Sequence, residues 1–443
     1  MGIFELRVPH PASLRPHHSP PERPSLPRYQ MPEGGVERGD VEDGFHGDGE
    51  MKAILTTCWG LEGVVADEVE EKLKRKAELN PFGFKGRLAI PIESIEEAVV
   101  ASYSLRTIHR CMLLIHSFKI RTDEGGLEDI YEGVKEAEFT RFLSPDVSFA
   151  IRSERKGEHG FISPQIAASA GQAVIDKVME KSGYRQRVNL DDPDVSIRVD
   201  VSKDNCMICL DMVGGESMHR RGWRRYDHPA SLKGSIASAL VRISGWRGEE
   251  VILDPLCGSG TIPIEAAHAA MNLPPGYFRK DDLAFMRLPF KKEVFSQVIA
   301  QVDGQIRWDV GLHIHGSELF ERHVEGAILN VRSAGVEDKV KIHHHDVSKL
   351  TELFRPGSVD VIVTNPPYGV RIADVKRAAE VHRSLLRSGF EVLKEGGRMV
   401  LVTTHKGLIF NTAENFGFKI EESFPICNGN LWIRAFKLVK GKG

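Results

Sequence analysis

The fold is decided by one stretch of the chain, which reads Val251-Ile252-Leu253-Asp254-Pro255-Leu256-Cys257-Gly258-Ser259-Gly260-Thr261. Its first three residues are apolar and predict a short buried strand that ends at Asp254. Glycine serves where a backbone turns tightly or approaches a ligand closely, so Gly258 and Gly260 predict a tight loop. Apolar residues then recur with helical spacing from Ile262 to Ala270. This order of strand, loop and helix predicts an open α/β sheet with a ligand at the strand end.

The composition of this loop indicates the kind of ligand. It is neither the G-x-x-x-x-G-K-[ST] loop that binds a triphosphate nor a full G-x-G-x-x-G that holds a dinucleotide pyrophosphate. An acid followed by G-x-G suits a cofactor that carries an ammonium group and no phosphate, which points to the amino-acid part of S-adenosylmethionine. The predicted cofactor contacts in this stretch are Asp254, Gly258, Ser259 and Gly260.

Two further acids follow predicted strands. The strand-like residues 313–316 lead to Glu318, whose carboxylate can accept from both ribose hydroxyls. Residues 340–345 lead to Asp346, which is placed with His345 to accept from an adenine amino group. Each acid alone also fits a solvated loop, but their occurrence at successive strand ends favours a cofactor site. Three adjacent histidines, 343–345, point alternately to opposite faces of a strand, so no metal site is predicted.

A second loop follows the apolar residues 359–364 and reads Asn365-Pro366-Pro367-Tyr368. The two prolines fix φ and remove two backbone donors, so the loop is stiff and has free carbonyls. The oxygens of Asn365 and Pro366 can accept from a flat exocyclic amino group, while the ring of Tyr368 stacks on its heterocycle. The alternative is a packing turn, and the cofactor loop upstream favours the clamp. All four residues are predicted to be catalytic, and Asn365 is also predicted to contact the cofactor.

The two loops together resemble those of the class I, amino-group-modifying RNA methyltransferases. Two further segments resemble the connection from a THUMP domain to such a methyltransferase: His219-Arg220-Arg221-Gly222-Trp223-Arg224 and His228-Pro229-Ala230-Ser231-Leu232-Lys233. The resemblance extends from about Met51 to the end of the chain. Within this group the sequence looks most like the archaeal tRNA (guanine(6)-N2)-methyltransferases. The related tRNA guanine-10 enzymes usually carry Asp where this chain has Asn365.

The resemblance implies an organisation and a substrate. A ferredoxin-like subdomain (51–125) and a THUMP domain (126–215) would precede a Rossmann-like methyltransferase domain (216–443). The implied reaction is methylation of the exocyclic N2 of a tRNA guanosine, guanosine 6 of the acceptor stem, because the clamp alone would accept adenine or cytosine as well. Alternatives are a ribosomal RNA guanine-N2 enzyme, a tRNA guanine-10 enzyme, and a non-catalytic RNA-binding protein. The resemblance also places five residues beside the methionine end of the cofactor, with Ser231 at its carboxylate: His228, Pro229, Ala230, Ser231 and Leu232.

The regions before the methyltransferase domain divide into three parts. Eight of the chain's 23 prolines precede Met51 without apolar periodicity, which predicts a disordered extension over residues 1–50 or a chain that starts at Met51. Helices are predicted at 61–76, 92–102, 127–143 and 164–182, and strands at 53–57, 86–91, 110–118, 148–156, 195–201 and 206–212. Residues 271–307 form an insertion that is expected to face the substrate.

Composition is that of a globular intracellular enzyme. The 443 residues are 41% hydrophobic and 27% charged, and no apolar run is long enough to span a bilayer. Six scattered cysteines suit a reducing compartment, so a cytoplasmic protein without membrane contact is expected. The oligomeric state is open, with a monomer as the expectation.

The net charge of −3 does not indicate a nucleic-acid binder, so RNA affinity is expected from local basic clusters. One cluster before the methyltransferase domain comprises Arg152, Arg155, Lys156, Lys181, Arg185 and Arg187. A second comprises Arg220, Arg221 and Arg224 around Trp223, whose ring would either stack on a base or anchor the linker. Each basic residue alone also fits a solvated face.

Overall fold

The structure is a computed structural model that describes residues 50–228, 230–289, 291–369 and 372–441. The predicted extension therefore lies, apart from Glu50, outside the described residues. No helix in the described ranges is both long enough and apolar enough to cross a membrane.

The first half of the chain forms one eight-stranded sheet covered by helices. Its first unit contains β1 (Lys52–Thr56), α1 (Glu62–Leu73), β2 (Glu78–Leu79), β3 (Arg87–Pro91), α2 (Ile95–Ser104) and β4 (Arg110–Lys119). Its second unit contains α3 (Gly126–Glu136), β5 (Ser148–Lys156), α4 (Ser163–Ser182), β6 (Arg187–Val188), β7 (Val195–Ser202) and β8 (Asn205–Asp211). The strand order is β2-β3-β1-β4-β8-β7-β5-β6, and β4 pairs with β8 in antiparallel fashion. The two predicted units thus share a single sheet.

The helix predicted over 127–143 is shorter in the structure. It ends at Glu136, and the backbone of Ala137 is extended before a 3-10 turn at Thr140–Phe142. Phe139 and Phe142 are both fully buried. The chain leaves the helix because burial of these two rings stabilises the turn more than further helical hydrogen bonds would.

The second half forms a seven-stranded mixed sheet with helices. Its elements are α5 (Gly234–Ser244), β9 (Ile252–Asp254), α6 (Thr261–Ala270), α7 (Lys292–Asp303), β10 (Ile314–Glu318), α8 (Glu321–Ser333), β11 (Val340–His344), α9 (Leu350–Leu353), β12 (Val359–Thr364), α10 (Ile372–Val392), β13 (Leu393–Thr403), α11 (Lys406–Thr412), β14 (Phe418–Asn428) and β15 (Leu431–Lys440). The strand order is β11-β10-β9-β12-β13-β15-β14, and β15 runs opposite to the other six strands. The order reverses between β9 and β12. Ligands bind at such a switch point, outside the carboxyl ends of the strands.

The insertion between α6 and β10 packs against the first unit. The hydroxyl of Tyr103 on α2 donates to Asp303 over 2.8 Å, and Lys291 pairs with Glu96 over 3.1 Å. Helix α6 starts at the carboxyl edge of the sheet and ends at the opposite edge, where the insertion begins. The insertion therefore contacts the first unit, and the expectation that it faces the substrate stays a prediction.

A buried ionic cluster joins the two halves. Glu265 on α6 accepts from Arg221 over 2.8 Å and from Arg106 of the first half over 3.4 Å. Burial raises the pKa of Glu265, but the two guanidinium groups outweigh it and hold that pKa at about 2. Arg221 is 3% exposed and donates to Glu265 and to the backbone oxygens of Met218 and Arg106. No phosphate can reach it, so Arg221 does not belong to an RNA-binding surface as predicted.

Candidate active site

The carboxylate of Asp254 lies at the end of β9 and is 3% exposed. Its Oδ1 accepts from the Thr364 hydroxyl over 2.6 Å and from the Leu256 amide over 3.2 Å. Burial raises the pKa of Asp254 to about 7, and the nearby charge of Glu318 adds to this, while the two hydrogen bonds oppose it. Because Thr364 directly precedes Asn365, this contact joins the predicted cofactor loop to the predicted clamp.

The glycine loop has the backbone that the sequence predicts. Gly258 and Gly260 have φ values of +52° and +79°, in the left-handed region that favours glycine. The Gly258 amide donates to Glu318 over 3.2 Å, and the other carboxylate oxygen of Glu318 accepts from Phe320. The predicted ammonium acid and the predicted ribose acid therefore lie on either side of one loop.

Arg224 holds the segment before α5 against this loop. Its guanidinium donates to the hydroxyls of Ser231 (2.8 Å), Ser259 (2.9 Å) and Thr261 (3.0 Å). Burial lowers the pKa of Arg224, which nevertheless remains a cation at neutral pH. The sequence predicts an RNA contact for Arg224, whereas in the structure its guanidinium is bonded to the glycine loop.

Four of the five residues predicted beside the methionine end lie within the described residues. The Ser231 hydroxyl also accepts from the His228 amide over 3.0 Å, and the His228 ring accepts from the Ala230 amide over the same distance. Leu232 is buried in the core. Pro229 lies outside the described residues. The turn is thus organised around Ser231, the predicted carboxylate contact.

The end of β11 lies next to Glu318. The His345 amide donates to the Glu318 carbonyl over 3.0 Å. The half-buried carboxylate of Asp346 accepts from the Ser348 amide over 2.8 Å. No group of three or more side chains suited to holding a metal ion occurs within the described ranges.

The predicted clamp has an internal hydrogen bond. The Tyr368 hydroxyl donates to Asn365 Oδ1 over 2.6 Å, and the Tyr368 ring packs on the core of the domain. Burial raises the pKa of the Tyr368 phenol, so it stays a neutral donor. Pro366 is buried, whereas Pro367 is exposed. In this structure the Asn365 amide therefore presents its oxygen to the Tyr368 hydroxyl.

Residues at the end of β13 support the clamp from behind, and sequence reasoning missed them. The Tyr368 carbonyl accepts from His405 Nε2 over 2.8 Å and from the Thr404 hydroxyl over 3.3 Å. His382 contacts the Thr403 hydroxyl over 2.8 Å, and burial lowers its pKa to about 4, so this imidazole is neutral. A polar run directly after an apolar strand, Thr403-Thr404-His405, was the available signal.

Comparison with known proteins finds a matching family model in each half of the chain. Residues 125–211 match the family model of the THUMP domain, and residues 221–432 match that of the RMKL-like methyltransferase domain. The tRNA (guanine(6)-N2)-methyltransferase of Archaeoglobus fulgidus is 37% identical over 381 residues, 86% of this chain and 90% of its own. The enzyme of the same name from Methanocaldococcus jannaschii is 33% identical over 390 residues, 88% of this chain and all of its own.

The chain belongs to this family of THUMP-containing methyltransferases. The crystal structure of SMU.472, complexed with SAH, matches with a TM-score of 0.76 at 24% identity, over 89% of this chain and 99% of that one. This likeness extends the agreement in fold over 89% of the chain. The predicted class I fold preceded by a THUMP domain is therefore confirmed.

The basic residues predicted to bind RNA lie on separate parts of the THUMP domain. Arg155 and Lys156 lie at the end of β5, whereas Arg187 on β6 pairs with Ser148 at its start. At about 3.3 Å per residue these ends are about 26 Å apart. Arg152 is exposed but donates to the Leu190 carbonyl. The exposed side chains among the predicted RNA contacts are Arg152, Lys156, Lys181, Arg185, Arg187 and Arg220.

The ring of Trp223 is 1% exposed and packs in the core of the methyltransferase domain. No base can stack on it. Of the two alternatives for Trp223, the structure therefore supports the second, in which its ring anchors the linker.

Proposed function

We propose that this methyltransferase transfers a methyl group from S-adenosylmethionine to the exocyclic N2 of a tRNA guanosine, guanosine 6 of the acceptor stem. The observation that carries this proposal is the match to two enzymes of that specificity over 90% and 100% of their lengths. The amine clamp and the cofactor loop are both intact in this chain. The nucleotide position rests on the names of these relatives.

The residues around the loop fit this cofactor chemically. Asp254 offers a carboxylate to an ammonium group, and Glu318 offers one to ribose hydroxyls. Arg224, already bonded to Ser231 and Ser259, offers a cation to a carboxylate at the start of α6, where helix N–H groups also favour an anion. This set of donors and acceptors matches an amino-acid zwitterion joined to a nucleoside.

The clamp would act by alignment. The cofactor supplies a methyl group on a positively charged sulfur, which is already activated for transfer. Asn365 Oδ1 has two lone pairs, and Tyr368 takes one, so the other is available to an amino hydrogen of the base. The Pro366 carbonyl would accept the second hydrogen. These two contacts would direct the nitrogen lone pair at the methyl carbon, and such positioning can contribute several kcal/mol, on the order of 7–11 at most.

The base must reach the clamp from an RNA helix. A paired guanosine would leave its stack at a cost of about a few kcal/mol. Stacking of this base on Tyr368 stays a prediction, since the hydroxyl of Tyr368 is committed to Asn365 and its ring to the core. We propose that residues 51–125 and 126–215 act together with the domain 216–443 by holding the tRNA.

The test is transfer of a labelled methyl group to unmodified tRNA transcripts, followed by mass mapping of the product. We expect one labelled guanosine at position 6 and none in a transcript with adenosine there. Methylation of ribosomal RNA alone, or of guanosine 10, would contradict the tRNA guanosine-6 proposal.

Asn365→Ala tests the clamp. The variant loses the amino-group acceptor, so we expect a loss of at least about 100-fold in kcat, comparable with removal of one transition-state hydrogen bond. Cofactor affinity, measured by calorimetry, should stay within about threefold of wild type, a change below about 0.7 kcal/mol. Asn415→Ala, at an exposed asparagine of the same domain, is the matched control. An Asn365→Ala enzyme that kept most of its activity would rule out this role.

A further inference from the structure

Two exposed tryptophans meet where the first unit contacts the methyltransferase domain. Trp59 and Trp432 are 40% and 47% exposed, and their ring centroids lie 4.7 Å apart in an edge-to-face arrangement. The Lys85 ammonium lies 4.0 Å from the Trp59 ring centroid. We call Trp59, Trp432 and Lys85 the tryptophan platform. Large aromatic rings rarely stay this exposed together without a binding role.

The platform lies at the same edge of the sheet as the clamp. Strand β15 runs antiparallel to β13, so Arg434 pairs with Thr403 and Trp432 lies two residues, about 7 Å, further along β15 beyond the end of β13. Thr404 and His405, which follow Thr403, donate to the Tyr368 carbonyl. The platform thus lies beside the residues that support the clamp.

The backbone that presents Trp59 is fixed, although its ring is exposed. The buried carboxylate of Glu62 accepts from the amides of Gly60 (2.6 Å) and Gly86 (2.8 Å). Gly60 has a φ of +99°, and a Cβ there would lie 2.0 Å from the Pro425 carbonyl oxygen. The Trp59 carbonyl accepts from the Cys427 amide over 2.9 Å. These three hydrogen bonds hold this loop in place before any ligand binds.

We propose that the platform binds one unpaired nucleotide of the RNA substrate beside the target base, with the base stacked on Trp432 and a phosphate at Lys85. This inference rests on the proposed function. Trp59 already has the Lys85 ammonium against its ring, so Trp432 offers the free aromatic surface. An aromatic face beside a cation matches the base and phosphate of a nucleotide. A protein partner would need about 800 Å² of surface on each side, far more than two rings provide.

The test compares tRNA binding by Trp432→Ala, Trp432→Phe and Trp308→Ala. Trp308 is 50% exposed but lies before the amino end of β10, at the opposite edge of the sheet, and is the matched control. Loss of one base stack should weaken tRNA affinity and raise KM by about 5- to 150-fold. Trp432→Phe should recover most of this loss, and Trp308→Ala should behave as wild type. Cofactor affinity by calorimetry should be unchanged in all three, which verifies that the domain is folded.

Lys85→Gln tests the phosphate contact. One lost contact should reduce the slope of log affinity against log salt by about 1. Equal tRNA affinity for Trp432→Ala and wild type would overturn the platform. A Trp432→Phe variant that recovers none of the lost tRNA affinity, with cofactor affinity intact, would also overturn it, since stacking would then not be the interaction lost.

The experiments distinguish failure of the proposed function from failure of the platform. A wild-type protein that binds tRNA but methylates none would overturn the proposed reaction. The effect of Trp432→Ala on tRNA binding would still test the platform in that case. A wild-type protein that methylates tRNA with Trp432→Ala unimpaired would overturn only the platform.

Discussion

Replacement of Asp254 by Asn should make the methyltransferase domain more stable while it weakens cofactor binding. The carboxyl group has an ordinary pKa of 3.8 and a pKa of about 7 in the folded chain, because it is buried and lies near Glu318. This difference of about three pH units corresponds to about 4 kcal/mol of folding free energy, at about 1.4 kcal/mol per unit. An Asn side chain keeps an oxygen that can accept from Thr364 and Leu256 and carries no charge at any pH.

The sign follows from where the proton is bound. Below pH 3.8 Asp254 is protonated in both the folded and the unfolded chain and does not affect stability. Between about pH 4 and pH 7 only the folded chain keeps the proton, so the stability of the wild type falls as pH rises. Above about pH 7 the whole cost of about 4 kcal/mol is present, and Asp254→Asn removes it.

Calorimetric unfolding between pH 4 and pH 8 measures this difference. The melting temperature of Asp254→Asn should match the wild type at pH 4 and exceed it at pH 8 by up to roughly 8–16 °C for a domain of this size. Asp309→Asn, at an exposed carboxylate, is the control. A difference in melting temperature that stays constant from pH 4 to pH 8 would refute the reasoning.

The same proton links pH to cofactor affinity. An ammonium group beside Asp254 favours the ionised carboxylate, so binding should release a proton and strengthen as pH rises through about 7. Calorimetric titration with the cofactor between pH 6 and pH 8 should show this trend in the wild type and not in Asp254→Asn. The stability gain and the affinity loss would then have one origin, the buried charge.

Two further substitutions test the surroundings of the site. Glu265→Gln leaves Arg106 and Arg221 without their shared buried carboxylate and should destabilise the protein by about 3–5 kcal/mol in thermal unfolding; an unchanged melting temperature would show that the cluster does not hold the halves together. Arg224→Lys removes the planar fork that reaches Ser231, Ser259 and Thr261 and should weaken cofactor binding about tenfold while tRNA affinity stays the same. Loss of tRNA affinity instead would show that Arg224 contacts RNA, as the sequence predicts.

The sequence predicts the parts of the site that are local. Asp254, Gly258 and Gly260 follow one another within a single strand-loop-helix unit, and their backbone geometry follows from residue type. Asn365 and Tyr368 are likewise three residues apart and bonded to each other. Such short-range features depend on φ preferences and strand ends, which the order of residues reveals.

The environment of the arginines could not be predicted in this way. Arg220, Arg221 and Arg224 lie close together in the sequence, yet Arg220 is exposed, Arg221 is buried against Glu265, and Arg224 is bonded to the glycine loop. Their partners lie 44 and 35 positions away, and Arg106 is 159 positions from Glu265. Composition alone grouped them as one basic cluster because pairing at such distances is decided only by the packed fold.

The contacts between the two halves bear on how one nucleotide is chosen. Helix α6 begins at the cofactor loop and carries Glu265, so the buried pairs with Arg106 and Arg221 fix the first half relative to the loop. The backbone hydrogen bond from Cys427 to Trp59 holds the first half in place a second time, at the β14–β15 hairpin. Asn365 offers an acceptor that any exocyclic amino group could use, so the clamp by itself discriminates poorly among bases. If the THUMP domain holds the tRNA at a fixed distance from the clamp, only a nucleotide at the matching distance along the RNA would reach Asn365. The position would then be selected by this distance, and the amino group by Asn365.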